Sequence, residues 1–278
     1  MTAKMKLSSH RYGKARVRVV KILRDGARHT VVEADVQVLL EGNFETSYTE
    51  GDNSKLVATD TVKNTINVLS RDHLTEEMEK FALHLGQHFV GRYAQVERAH
   101  VEIRERVWER IGDHNHSFTA PGSPVPWVKA MVTAEREELI SGVSDWLILK
   151  SAESGFSGYP RCEFTTLPET DDRIFATSVT AGWRWARHPA NFRTANAGVR
   201  SAMLRPFCDN FSPSVQATMA EMAEAAFAAM PEVDEISLAL PNKHCHLINL
   251  QPFGLDNPNL VFTATDEPHG QIEAVFRR

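Results

Sequence analysis

The sequence lacks the features that mark several large classes of protein. Only three cysteines, Cys162, Cys208 and Cys245, occur in 278 residues, which is too few and too scattered for a disulfide framework. No apolar run is long enough to cross a bilayer. The net charge is −5 without any long basic run, so the chain has no electrostatic footprint for nucleic acid or anionic membranes. We therefore expect a reduced globular protein with neither kind of partner.

Targeting signals are missing as well. The start of the sequence, MTAKMKLSSH, contains no apolar segment typical of a secretory signal. Its end, AVFRR, is not a peroxisomal address. The odd number of cysteines leaves at least one thiol unpaired within the chain, which is typical of a reducing compartment. These observations predict a cytoplasmic location.

Common catalytic and metal-binding motifs do not occur. There is no Gly-x-Ser-x-Gly, no phosphate-binding loop, no Cys-x-x-Cys and no His-Glu-x-x-His. Two close pairs, His114 with His116 and His244 with His246, could each offer two metal ligands. A metal site needs further ligands and supporting carboxylates, and 12 histidines in this length form close pairs by chance. We expect no metal.

Alternation of apolar and polar residues predicts several half-buried strands. The clearest pattern covers residues 32–40, in which every second residue is apolar. An Asp-Gly pair at positions 25 and 26 separates it from an earlier strand over 12–23, as in a hairpin. Further strands are predicted at 99–107, 142–150, 174–185 and 235–250.

Apolar residues at steps of three and four predict two amphipathic helices. The first, with Thr75 as its cap, shows this spacing at Met78, Phe81, Ala82, Leu85 and Phe89. The second follows FSPSVQAT, with Ser212 or Ser214 as its cap. The prolines of TAPGSPVPW separate two halves with similar patterns. We predict an α+β protein of two repeats, residues 1–128 and 129–278, with antiparallel sheets and helices on one face.

The stretch LPNKHCHL at 240–247 places two histidines around a cysteine. His244 and His246 have the parity of Leu238 and Leu240, so an unbroken strand would point both inward. Pro241 can interrupt that register. From the residues alone, the stretch is a metal-ligand pair, a catalytic proton relay, or a strand rich in nitrogen.

Four short segments stand out because ordinary secondary structure does not require them. YGK at 12–14 starts a strand with a lysine, and VATDTVKNT at 57–65 has helix capping as its simplest interpretation. SVQAT at 214–218 has a solvated glutamine as its simplest interpretation, and LPNKH at 240–244 completes the set. With the longer runs LLEGNFETSYTEGDNSKLVATDTVKNT, LKSAESGFSGYPRCEFTTLPETDDR and SPSVQATM, they closely resemble the urate oxidase (uricase) family, in order and along nearly the whole chain.

The resemblance implies the tunnelling fold, or T-fold, carried twice by the chain. Each T-fold repeat is a four-stranded antiparallel sheet with two helices on one face. The resemblance also implies a homotetramer that encloses a barrel-like tunnel, with active sites at subunit interfaces. Segments 110–128 and 186–205, which we interpret as loops, are less typical of the family, and no role is assigned to them.

The same resemblance implies the residues of the site. The family's catalytic positions fall on Lys14, Thr59 and His244. Its substrate-binding positions fall on Thr59, Asp60, Phe156, Leu167, Arg173, Val215, Gln216 and Asn242. These residue types suit a flat anionic purine: a guanidinium offers a rigid fork, an amide donates and accepts, and an aromatic face covers a ring. On this basis Asn242 lies beside the oxygen or water site, and a neighbouring subunit supplies Thr59 and Asp60.

The implied chemistry is oxidation of urate with O2 as co-substrate, without metal or cofactor. Lys14 and Thr59 together remove a proton from urate, and the electron-rich urate anion reduces oxygen to hydrogen peroxide. Water is added to give 5-hydroxyisourate, while His244 shuttles protons. In this scheme His246 and Cys245 carry no chemistry, and Lys243 is structural.

Two other functions remain open at this point. Other T-fold enzymes act on pterins and related heterocycles, some with zinc, so a lyase or hydrolase of this kind predicts metal dependence and a role for His246. A non-catalytic purine-binding protein would keep the clamp of Arg173 and Gln216 without a working relay.

Overall fold

A computed structural model describes residues 5–278, which divide into two compact units. Unit 1 holds the described residues up to Gly142 together with Ala190–Arg193, and unit 2 holds Val143–Pro189 and Thr194–Arg278. The boundary between repeats at residues 128 and 129 stays a prediction. No helix within the described residues is both long enough and apolar enough to cross a membrane.

Unit 1 is built on an antiparallel sheet. Its strands are β1 (Tyr12–Asp25), β2 (Arg28–Gly42), β3 (Val96–Arg106), β4 (Glu109–Arg110), β5 (Phe118–Thr119), β6 (Val125–Thr133) and the first part of β7 (Glu137–Lys150). Strands β1, β2, β3 and β6 are neighbours in that order, whereas β4 and β5 form a separate ribbon. The predicted hairpin is confirmed, because Asp25 pairs with Arg28 across a two-residue turn. The predicted alternation is confirmed too, since Val36, Val38 and Leu40 are fully buried.

Three helices accompany this sheet: α1 (Glu45–Thr49), α2 (Thr59–His73) and α3 (Met78–Arg92). Helix α2 packs on β1, and α3 packs on β3 and β6. All five apolar residues predicted for the inner face of α3 are buried. The predicted cap is wrong, because α3 begins at Met78 after Glu77, and no side chain caps it. Thr75 lies too early in the chain, and its hydroxyl accepts the Glu77 N–H at 3.2 Å.

Gly86 allows α3 to pack closely on the sheet. A Cβ atom at Gly86 would lie 2.4 Å from Cγ2 of Val132 in β6. We expect Gly86→Ala to lower the free energy of unfolding by about 1–3 kcal/mol, because an overpacked core must shift. Gly91→Ala is a matched control in the same helix, where a Cβ meets nothing within 4 Å. It should be neutral or stabilising by up to about 1 kcal/mol. Denaturant unfolding that gave both variants the same stability would contradict the close approach.

Unit 2 contains the rest of β7 and five further strands. These are β8 (Phe175–Trp185), β9 (Val233–Ala239), β10 (Asn242–Leu247), β11 (Phe262–Gly270) and β12 (Glu273–Arg277). Strand β8 pairs with both β9 and β10, β12 pairs with β9, and β11 pairs with β10. The predicted strand over 235–250 is therefore wrong as one element, because it is interrupted at Pro241. Its register against β8 nevertheless continues, since Ala239 pairs with Thr180 and Asn242 pairs with Thr177.

Unit 2 also carries helix α5 (Val215–Ala229), most of helix α4 (Phe192–Asp209) and a short 3-10 helix (Gln251–Phe253). Helix α5 packs on β9 and β12, and Ser214 caps it, as one of the two predicted candidates. The interpretation of 186–205 as a loop is wrong, because α4 occupies most of it. Buried Phe192, Val199 and Met203 give that segment a helical spacing. The α+β class is confirmed.

Candidate active site

A cavity of about 300 Å³ lies in unit 2. Seven of the predicted site residues line it: Phe156, Leu167, Arg173, Val215, Gln216, Asn242 and His244. They come from the loop before β8, the first turn of α5 and the start of β10. The fold therefore brings together residues that are far apart in the sequence.

Backbone hydrogen bonds fix the loop that carries Phe156 and Arg173. The Phe156 N–H donates to the Thr170 carbonyl at 2.7 Å, and the Thr170 N–H donates back to Phe156 at 3.1 Å. The Arg173 N–H donates to the carbonyl of Ser154 at 2.9 Å. The two ends of this loop thus hold each other, and the side chains of Phe156 and Arg173 start from a fixed backbone.

Arg173 places a guanidinium with spare donor capacity on the cavity wall. Its Nε donates to Ser154 Oγ at 3.3 Å, and its Cζ lies 5.6 Å from the centre of the Phe156 ring. Its Nη2 is buried and has no hydrogen-bond partner among residues 5–278. Burial lowers the pKa of Arg173. A buried donor without a partner is unfavourable, so a ligand with an acceptor or negative charge would be stabilised here.

Phe156 lines the cavity, and its ring is held by an aromatic neighbour. Tyr159 stacks on that ring, with ring centres 4.9 Å apart and planes 15° from parallel. The Tyr159 hydroxyl donates to the Leu167 carbonyl at 2.6 Å. Tyr159 therefore links the positions of Phe156 and Leu167, and the ring is held where it can cover a flat heterocycle.

Val215 and Gln216 occupy the first turn of α5. The hydroxyl of Ser214 accepts the Ala217 N–H at 3.1 Å, which caps the helix. The first N–H groups of a helix have no partner within it, and the positive end of the helix dipole favours negative charge. Val215 is buried and Gln216 is exposed. Val215 is thus suited to contribute its backbone, and Gln216 its side-chain amide.

Asn242 and His244 belong to β10. The rings of His244 and His246 stack with centres 5.6 Å apart. Burial, with smaller effects of His246, Arg173 and His269, lowers the pKa of His244 from its ordinary 6.5. A neutral imidazole accepts a proton at one nitrogen and donates from the other, which is what a proton relay requires.

Several cavity residues have no predicted role in binding or catalysis. Lys243, Cys245, His246, Pro168, Thr170, Ile174 and Ile272 also line the wall. Lys243 forms an ion pair with Asp266, and this hydrogen bond lowers the pKa of Asp266. His246 shares the strand parity of His244, whereas no local pattern indicates Ile272. Within the described part of the chain, no three His, Cys, Asp or Glu side chains are arranged to hold a metal ion.

The other three predicted residues, Lys14, Thr59 and Asp60, belong to unit 1 and do not line this cavity. Lys14 lies in β1 directly before a bulge, where the register against β2 shifts between Lys14 and Val17. A hydrogen bond from Lys63 is the main cause that lowers the pKa of Asp60, and the charge of Lys14 adds to it. Helix α2, which begins with Thr59, packs on β1, the strand that carries Lys14.

Thr59 and Asp60 do not cap α2, although capping is the simplest interpretation of their sequence. The N-cap residue is Ala58, and no side chain caps the helix. Asp60 instead accepts hydrogen bonds from Lys63 at 2.5 Å and Asn64 at 2.8 Å. Both Thr59 and Asp60 are exposed. Their side chains are thus available on the surface of unit 1.

Known proteins resemble the chain over almost its full length. The model of the Uricase family matches residues 10–131 and 139–273. Uricase from Arthrobacter globiformis is 42% identical over 275 residues, which cover 99% of this chain and 91% of that protein. Uricase from Dictyostelium discoideum is 36% identical over 282 residues, which cover 98% and 97% of the two chains.

The fold agrees with these sequence matches. The crystal structure of uricase from Arthrobacter globiformis matches with a TM-score of 0.96 at 42% identity, and the match covers 99% of this chain and 96% of that one. The family match covers both halves of the chain, and the sequence identity is accompanied by the same fold. The chain belongs to the uricase family.

Proposed function

We propose that this protein is a urate oxidase that converts urate, O2 and water to 5-hydroxyisourate and hydrogen peroxide without a cofactor. Family membership supports the substrate class. The observation that carries the proposal is the buried Nη2 of Arg173, which has no partner among the described residues and lies beside an aromatic ring on a cavity wall. A flat purine anion supplies both the acceptor and the ring that this wall suits.

Binding and orientation are assigned to Arg173, Gln216 and Phe156. The guanidinium fork takes one edge of the purine, and the Gln216 amide donates to and accepts from another edge. Phe156 covers the ring, and the backbone of Val215 offers an N–H at the positive end of α5. Leu167 forms part of the wall. Fixed geometry of this kind raises the rate because the reactants are already oriented.

The reaction then needs proton transfer and two electrons. Lys14 and Thr59 take a proton from urate, and the resulting anion passes two electrons to O2, which leaves as hydrogen peroxide. Water supplies the new hydroxyl at the oxidised carbon, and His244 moves the accompanying protons. Asn242, which adjoins His244 on the cavity wall, is assigned to the position of the oxygen or water. One urate, one O2 and one water give one 5-hydroxyisourate and one peroxide, so atoms and electrons balance.

A homotetramer with active sites at subunit interfaces is part of the proposal. The amine on the cavity wall, that of Lys243, is paired with Asp266, which leaves a separate amine to act as the base. Lys14, Thr59 and Asp60 lie in unit 1, with Thr59 and Asp60 exposed, where a second subunit can use them. The three free cysteines support a cytoplasmic location.

The direct test uses purified protein after exhaustive chelation. Urate absorbance, dissolved oxygen and peroxide are followed together after urate is added. We expect urate loss matched by oxygen uptake and peroxide release. Urate loss that occurs only with added metal, without oxygen uptake, would favour the metal-dependent heterocycle lyase or hydrolase, for which His244 and His246 are a stacked pair on one wall. No urate loss under either condition would overturn the proposed function.

A further inference from the structure

We infer that Tyr12 is a positioning residue for the proposed reaction: its hydroxyl holds the start of α2, and with it Thr59, against the strand that carries Lys14. The inference rests on the proposed function, because that function makes the relative position of Lys14 and Thr59 matter. No role in binding or catalysis is otherwise assigned to Tyr12, although it opens the YGK segment.

The connection is a single hydrogen bond between two distant parts of unit 1. The Val57 N–H donates to the Tyr12 hydroxyl oxygen at 2.7 Å, across 45 positions of sequence. Tyr12 precedes Lys14 by two residues, and Val57 precedes Thr59 by two residues. The bond therefore joins the two short segments that carry Lys14, the proposed base, and Thr59, its proposed partner.

The Tyr12 ring is held independently of this bond. It packs edge-on against Phe44, with ring centres 4.9 Å apart and planes at 90°, and Phe44 is fully buried. Burial raises the pKa of Tyr12, while the Val57 hydrogen bond opposes that change. Loss of the hydroxyl alone should thus leave the ring in place and release only the Val57 N–H.

The neighbouring residues of β1 also serve this geometry. A Cβ at Gly13 would lie 1.9 Å from the Val38 carbonyl oxygen, so the strand can pass this point only as glycine. After Lys14, the bulge places Arg16 at a φ of 57° and shifts the register against β2. Bulges re-aim neighbouring side chains, and they recur beside active sites. Tyr12, Gly13 and the bulge together fix the backbone of β1 on both sides of Lys14, and with it the point from which the Lys14 side chain projects.

The segment that leads into α2 has further support upstream. The Gln95 side chain donates to the Lys55 carbonyl at 2.8 Å, and the Lys55 amine donates to Asn43 at 3.0 Å. These contacts fix residue 55, whereas the Tyr12 bond fixes residue 57, next to the start of the helix. Release of Val57 should therefore let the first turn of α2 move while the rest of the segment stays in place.

Tyr12→Phe tests the inference, because it removes the hydroxyl and keeps the ring. We expect kcat for urate oxidation to fall by about tenfold, since a misplacement of about 1 Å can cost up to about a hundredfold in a reaction that depends on orientation. KM for urate should change less than kcat, because the cavity residues of unit 2 are untouched. Oxygen uptake at varied urate concentrations measures both constants.

Tyr48→Phe is the matched control. Tyr48 lies near enough to raise the pKa of Tyr12, is 49% exposed, and is not the residue bonded to Val57. The control removes a phenol oxygen from the same region without touching the connection, so its kcat should equal that of the wild type. An equal loss of kcat in both variants would overturn the inference.

A double-mutant cycle with Thr59→Val separates positioning from general damage. If Tyr12 acts by placing the Thr59 hydroxyl, Tyr12→Phe should lower kcat by less than about twofold once that hydroxyl is absent. The same tenfold loss in both backgrounds would overturn the inference, as would an unchanged kcat in Tyr12→Phe. A wild-type protein that takes up no oxygen with urate overturns the proposed function and this inference together. An active wild type with an unaffected Tyr12→Phe overturns the inference alone.

Discussion

Replacing Arg173 by lysine is expected to lower kcat/KM for urate by about a hundredfold, the usual size of the loss when one fixed donor to a reacting anion is removed. Lysine keeps the charge but loses the planar fork, so one ammonium cannot reproduce both the Ser154 contact through Nε and the free Nη2. Steady-state oxygen uptake at varied urate concentrations measures the change. Binding of an unreactive purine anion, measured separately, should weaken as well.

Arg161→Lys is the control for this substitution. Arg161 is exposed, precedes Arg173 in the same loop region and does not line the cavity. Its replacement should leave kcat/KM unchanged. If Arg173→Lys retained full activity, the fork would have no function, and the assignment of the cavity as the urate site would be wrong.

Mixing two strongly impaired variants should restore activity if each site is built from two subunits. Lys14→Ala removes the proposed base in unit 1, and Arg173→Lys damages the cavity in unit 2. When equal amounts are unfolded, mixed and refolded, about one quarter of the sites in random oligomers combine both intact parts. The mixture should therefore be far more active than either variant refolded alone.

A second mixture controls for nonspecific recovery. Lys14→Ala and Thr59→Val both change the unit 1 group, so no pairing of their subunits brings an intact Lys14 and an intact Thr59 together from one chain. This mixture should stay at the level of its parents. Absence of recovery in the first mixture, with both variants refolded to oligomers, would contradict a site shared between subunits.

Much of the sheet could be predicted because burial leaves a regular pattern. Val32, Ala34, Val36, Val38 and Leu40 alternate with polar residues, and all five are buried. The inner face of α3 followed its three- and four-residue steps in the same way. Such patterns can be recognised from the sequence because burial of one face of a strand or helix makes apolar residues recur with the period of that element.

The errors arose where contacts that the sequence does not display decide the outcome. Thr75 has the right chemistry for a cap, but it lies two residues before the N-cap position, and its hydroxyl accepts the Glu77 N–H instead. Helix α4 is the exception, because the spacing of the buried residues Phe192, Val199 and Met203 is a helical pattern that the sequence itself displays. The bulge after Lys14 has no sequence marker, because Arg16 is not a residue that favours a positive φ.

The site shows the same difference between what a local sequence pattern predicts and what only the folded chain determines. Family resemblance predicts seven of the residues that line the cavity, whereas the loop hydrogen bonds that fix Phe156 and Arg173 on its wall are contained in no motif. The Nη2 of Arg173, which has no partner among residues 5–278, and the bond from Val57 to Tyr12 are properties of three-dimensional packing alone. The residue types could be read from the sequence, whereas the hydrogen bonds that orient them could not.

The Nη2 of Arg173, which has no partner among the described residues, also affects how the stability of this protein can be raised. A carboxylate placed within reach would satisfy that nitrogen and raise the stability of the empty protein. It would also occupy the position that a substrate anion needs and repel the anion by its charge. Stability and activity are therefore opposed at this point, and gains in thermal resistance should be sought away from the cavity.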